Sequence, residues 1–179
     1  AVDQMRRFLS YLPTNVMQLP PVEEDVRDEP ARREEFLLDV IPKERRQVYN
    51  MRKILKAVFD LDSFFEMTRG YGRGLIPGFA RLNGQPVGLI ANDPHFYAGS
   101  MDAEGALKVK RFVDLCDTFH LPVVTLVDEP GFMIGSASER SGTIRFGVEA
   151  ISRVVTVKIP WCTVLVRKAY GVAAAAHFG

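Results

Sequence analysis

Two apolar runs, Leu121 to Asp128 and Trp161 to Arg167, stand on either side of an amphipathic stretch at 144–157. That spacing constrains the fold more than any other feature of the chain. A strand, a helix of several turns and a second strand cannot close as a hairpin. They need a crossover, and crossovers join parallel strands with a right-handed connection. Upstream, Leu75–Leu82 and Gln85–Ala91 flank Asn83-Gly84, the strongest short-range hairpin signal. Asp102 then caps a helix predicted through Phe119, in which Val109, Phe112, Val113 and Cys116 follow the i, i+3, i+4, i+7 pattern. Hairpin, helix, strand, helix, strand and helix in that order predict an α/β chain around a largely parallel sheet.

The other segments fit around this frame. Val2 to Leu12 reads as a helix with Met5, Phe8, Leu9 and Leu12 on one face, ended by Pro13. Thr14 to Gln47 mixes prolines with dense opposite charges and reads as an extended arm on a surface. Asn50 is placed to cap a helix through Val58, with Ile54, Leu55 and Val58 facing in. Phe64 to Thr68 is predicted as a strand. In the helix at 144–157 the apolar side is Ile144, Val148, Ile151 and Val155, predicted to face the core. Thr163 to Val166 reads as a buried strand, and the alanines that follow Val172 as the start of a helix.

Composition excludes several classes. With 47% apolar and 25% charged residues, the chain can bury a core. A net charge of +1 makes no case for nucleic acid or a membrane surface, and no apolar run approaches a membrane span. Cys116 and Cys162 both lie in apolar patterns and are expected to be buried free thiols of a reducing compartment. His95, His120 and His177 are too scattered for a metal-ligand spacing. The chain opens at Ala1 with no signal-like segment and stops at Gly179, just after the alanine run. Both ends are therefore expected to lie inside a longer polypeptide.

Chemistry is expected at the two strand ends that break into glycine-containing loops, Asp128-Glu129-Pro130-Gly131-Phe132 and Lys168-Ala169-Tyr170-Gly171. Ligands of open α/β sheets bind outside the carboxyl ends of strands. A strand that turns through glycine into a helix aims unpaired backbone N–H groups at a cleft, where they can hold an oxyanion without any side chain. Asp128 and Glu129 read either as an acid/base pair or as carboxylates that cap a helix or bind water. Gly70 to Gly74 precedes a strand and is expected to be a flexible loop. No nucleophile elbow, phosphate-binding loop or zinc-protease motif occurs.

Leu126 to Gly135, LVDEPGFMIG, resembles the VDxPGFxxG signature of biotin-dependent acyl-CoA carboxyltransferases. These are the β subunits of acetyl- and propionyl-CoA carboxylases and the related decarboxylase subunits. The resemblance runs in order along nearly the whole chain. Phe8 to Asn15 is similar to the link out of the family's N-terminal domain, and Val48 to Arg52 to the PYDMR start of its C-terminal domain. Gly78 to Leu82 and Val87 to Asn92 are similar to its hairpin, Ala103 to Cys116 to its long helix, and Arg167 to Gly171 to RKAYGG.

The resemblance implies a crotonase-like (ClpP/crotonase) fold of repeated ββα turns, present here as an incomplete half-domain. Residues 1–48 would be an interdomain helix and linker, and 49–179 the first part of the biotin-side domain. The implied activity is transfer of CO2 from carboxybiotin to the α-carbon of an acyl-CoA, with this piece inactive alone. Backbone N–H groups of Val172 and Ala173, beside Gly171, would form the oxyanion hole. Gly131, Phe132 and Tyr170 would contact biotin, and Ala175 would stand where the acyl group is discriminated; no metal is implied. Biotin carboxylase and biotin carboxyl carrier subunits would be partners, within a homo-oligomer of dimers as large as a hexamer, in cytoplasm or the mitochondrial matrix. Val172 replaces the family's second glycine, so a branched side chain is expected to crowd that approach and to exclude positive φ. A decarboxylase subunit and a non-catalytic family member are the alternatives.

Overall fold

The computed structural model describes residues 1–26, 28–29, 31–44 and 46–179. Five strands form one sheet in the order β1 (Phe65–Glu66), β2 (Leu75–Leu82), β3 (Gln85–Asn92), β4 (Val123–Glu129), β5 (Trp161–Ala169). The first two pairings are antiparallel and the last two parallel. The β2–β3 hairpin turns at Asn83 and Gly84, with φ of 49° and 78°. The Asp60 carboxylate accepts both of their N–H groups, at 2.9 and 2.8 Å. The arm crosses this turn, with Glu23 N–H donating to Gly84 O at 3.0 Å. A Cβ on residue 84 would collide with the Glu23 carbonyl, so glycine is required there twice over.

Helices cover both faces of the sheet. Strand β2 alternates sides: Leu75 and Phe79 join one apolar cluster, Ile76 and Ala80 the other. On the first face α3 (Ala103–Thr118) and α5 (Thr143–Val154) pack Val109, Phe112, Val113 and Val154 over the sheet. On the second, α2 (Met51–Val58) supplies Met51, Ile54 and Leu55. The two predicted caps are present. Asn50 Oδ1 accepts from Arg52 N–H at 3.0 Å and Asp102 Oδ1 from Gly105 N–H at 2.7 Å. The N-terminal helix α1 (Val2–Leu9) reaches the first core through Phe8, and Tyr11 follows it; their rings lie 5.7 and 5.4 Å from that of Phe79.

Several expectations are corrected. Three of the four residues in the apolar stripe predicted for α5 (Thr143–Val154) face outward: Ile144, Val148 and Val155 are exposed, Ile151 alone packs half-buried against the core, and Thr143, Gly147, Ala150 and Val154 are buried. The Phe132 ring packs where any Cβ on Gly147 would collide, so close approach, not hydropathy, selects the inward face. Val58 is exposed. Strand β5 lies at the sheet edge, and its Cys162, Val164 and Leu165 are exposed. Cys116 is buried as expected, which pushes its thiol above the ordinary value. The alanine run forms a 3-10 turn, Val172–His177, in place of an α-helix.

The Gly70–Gly74 loop is packed on α3. Gly72 N–H donates to Glu104 Oε2 at 3.2 Å, and Lys108 Nζ donates to the carbonyls of Leu75 and Gly72 at 2.7 and 3.3 Å. Burial brings the Lys108 ammonium down to about 8, against the opposing pull of Glu66. The unfolded chain keeps that proton to higher pH, so between about pH 8 and pH 10 the folded state binds fewer protons. Stability is expected to rise with pH across this window, by at most about 1.4 kcal/mol per pH unit. Urea unfolding of the intact protein checks it: the rise should be absent from Lys108→Met, and parallel pH curves for the two proteins would contradict it.

Candidate oxyanion site at two strand ends

Because β4 and β5 are parallel neighbours, their carboxyl ends lie side by side. Glu129 pairs with Ala169, and Tyr170 N–H donates to Glu129 O at 2.9 Å. The two glycine-containing loops therefore leave the sheet together. The first is fastened to Met101, whose N–H donates to Gly131 O at 3.2 Å and whose carbonyl accepts from Met133 N–H at 2.9 Å. The second turns sharply at Gly171, where φ is 63° and ψ is −165°. Only glycine enters that region without strain of about 1–3 kcal/mol. A Cβ at Gly131 or Gly171 would meet no atom within 4 Å, so both glycines border open space.

The 3-10 turn begins at once after Gly171. The first N–H groups of such a turn have no partner inside it; of the two residues predicted to supply donors, Val172 is exposed and Ala173 is fully buried behind it. The positive φ falls on Gly171, and Val172 does not adopt one. A branched residue is thus accommodated without backbone strain, with its side chain 67% exposed. A 3-10 turn repeats every three residues. Val172 and Ala175 share the exposed face, while Ala173, Ala174 and Ala176 are buried. Tyr170 is 59% exposed beside them. The Phe132 side chain turns away to Gly147, so at that position only the backbone faces the loop pair.

Asp128 and Glu129 are completely buried and are structural rather than an acid/base pair open to substrate. Asp128 accepts from the Tyr49 hydroxyl at 2.8 Å and pairs with Arg167 at 3.1 Å and Lys168 at 3.3 Å. Burial and the Asp128 carboxylate push the Tyr49 phenol far above its ordinary value. Lys168 also donates to Ala98 O at 2.9 Å, which ties the approach to Gly171 to a second loop. Tyr49, Asn92 and His177 belong to this support and were not singled out as site residues in the sequence. For Asn92 and His177 the only signal there is polarity inside an apolar run. Among the described residues no group of three His, Cys, Asp or Glu is placed to hold a metal ion, and no helix is long and apolar enough to cross a membrane.

The carboxyl transferase domain family matches residues 1–177. This chain belongs to it. The carboxyltransferase subunit of propionyl-CoA carboxylase from Haloferax mediterranei is 38% identical over 183 residues, covering 100% of this chain and 35% of that protein. The biotin-dependent acetyl-/propionyl-coenzyme A carboxylase beta5 subunit of Mycobacterium tuberculosis is 38% identical over 182 residues, covering 96% and 32%. The crystal structure of transcarboxylase 12S, a hexamer with hydrolysed methylmalonyl-coenzyme A bound, superposes with a TM-score of 0.92 at 33% identity, covering 97% of this chain and 34% of that one. The carboxyltransferase sheet described above is thus part of a crotonase-like domain, and the chain spans about a third of the length of these relatives.

Proposed function

We propose that this chain supplies the biotin-side half of an acyl-CoA carboxyltransferase site. The observation that carries the reading is the adjacency of the Gly131 and Gly171 loops, both open at the glycine, above the start of the 3-10 turn. That arrangement fits a neutral cyclic urea better than a metal or a phosphate, because it offers backbone donors while the nearby cations among the described residues, Arg167 and Lys168, are paired with Asp128. Bound carboxybiotin would bring the CO2 to be transferred and a ureido oxygen on which negative charge grows as CO2 leaves. The N–H of exposed Val172 is a fixed dipole for such an oxygen and needs no reorganisation when the charge develops, and that of Ala173, buried behind it, is the proposed second donor. Gly171 keeps side chains out of their path. Tyr170 and the backbone at Gly131 and Phe132 would flank the ring, and the exposed Ala175 would face the acyl group with no polar contact to offer. A base from this chain is not required, since biotin's own nitrogen can accept the α-proton.

Residues 1–48 are read as the interdomain helix and linker and 49–179 as the first part of the biotin-side domain. Biotin carboxylase and biotin carboxyl carrier subunits are the partners this activity needs. The assembly is read as a homo-oligomer of dimers, and the hexamer of the transcarboxylase supports a size as large as six. We place the protein in cytoplasm, or in the mitochondrial matrix for a eukaryotic source. The test is CO2 transfer between free biotin and a panel of acyl-CoAs by the intact protein. Turnover that depends on both substrates is expected. Intact oligomers that turn over no member of the panel would sink the reading and mark a non-catalytic relative.

A further inference from the structure

We infer that Glu129 is a positioning residue that holds both loops of the site in one register, and that it acts on the second loop through His177. This rests on the reading just proposed. Glu129 is fully buried at the end of β4, where a carboxylate is costly unless it is partnered. Its Oε1 accepts Gly131 N–H at 2.9 Å, which folds the first loop back on the strand. Its Oε2 accepts from Asn92 Nδ2 at 3.0 Å and faces His177 Nε2 at 3.4 Å. His177 closes the 3-10 turn that begins with Val172 and Ala173. One carboxylate therefore touches the backbone of the first loop and the end of the second.

The His177 ring depends on this contact. It is fully buried, and Nδ1 has no hydrogen-bond partner among the described residues. Glu129 is then the one polar group that orients the ring. The tautomer with its hydrogen on Nε2 suits the contact, since Nδ1 then carries a lone pair and not an unsatisfied donor. The backbone beneath is held separately: the His177 carbonyl accepts from Trp161 Nε1 at 2.9 Å and from the Thr125 and Thr163 hydroxyls at 2.9 and 2.7 Å. A merely space-filling residue at 129 would be apolar. The buried charge is explained by its geometry, with one oxygen for each loop.

Glu129→Gln in the intact protein tests the inference. The amide has one acceptor oxygen in place of two, so Gly131, Asn92 and His177 can no longer all be served as they are by the carboxylate. For CO2 transfer to free biotin, kcat is expected to fall roughly ten- to a hundredfold, the scale of a small misplacement of reacting groups. KM should change less than kcat, because the Glu129 carboxylate sets where the loops stand and is itself buried away from either substrate. His177→Leu should show the same split. His177→Gln keeps a donor facing Glu129 and should lose less than His177→Leu. An active wild type with unchanged kcat in both Glu129→Gln and His177→Leu, or a rise in KM alone, would overturn the positioning role. An inactive wild type across the acyl-CoA panel would instead overturn the underlying reading, and this inference with it.

Discussion

Replacing Asp128 with alanine is expected to destabilise the intact protein by about 3–5 kcal/mol, the scale for removing one partner of a buried ion pair. The Asp128 carboxylate is 0% exposed and receives three donors from two places: the Tyr49 hydroxyl ahead of α2, and Arg167 and Lys168 near the end of β5. Truncation leaves a guanidinium and an ammonium close together and largely buried, with the shared counter-charge gone. It also leaves the Tyr49 hydroxyl without its acceptor. Asp128→Asn keeps the shape and one acceptor, and should cost less than the alanine. Tyr49→Phe removes a single hydrogen bond and should cost about 1 kcal/mol. Urea unfolding of the three variants gives the ranking. An alanine variant that loses less than the Tyr49→Phe variant would show that the charges do not depend on one another.

Local chemistry made the hairpin, the two capped helices and the parallel β4–β5 pair legible in the sequence. Asn83-Gly84, Asn50 and Asp102 each act within a few residues of themselves, so their neighbours along the chain carry the information. The two loops were legible for the same reason: each glycine follows directly on its strand. Orientation was not. Hydropathy marks Ile144, Val148 and Val155 as the inward face of α5, but packing on Phe132 needs the absence of a side chain, and Gly147 provides it. The alanine run favours an α-helix by propensity. The structure overrides this by turning it at Gly171 and anchoring it at the His177 carbonyl, two ends that a tight 3-10 turn joins. The roles of Asp128 and Glu129 were open in the sequence because all their partners but Gly131 lie tens of residues away.

Replacing Val172 with proline is expected to lower kcat for biotin-dependent CO2 transfer by roughly a hundred- to a thousandfold, the cost of one oxyanion donor. The substitution is suited to this backbone. Residue 172 is the first of the 3-10 turn, where the N–H has no partner inside the turn and the fixed φ of proline fits. Proline also restricts the residue before it to extended ψ, and Gly171 already has ψ of −165°. The fold should therefore tolerate the ring while one donor disappears. Val172→Ala separates the donor from the side chain: it keeps the N–H, removes two methyl groups from an exposed position, and should lose far less activity than the proline variant. Melting temperatures measured alongside the kinetics distinguish a lost donor from a lost fold. If the proline variant folds and turns over within about threefold of the wild type, the charge on the ureido oxygen is held elsewhere. The Gly171 loop would then be a turn rather than a site.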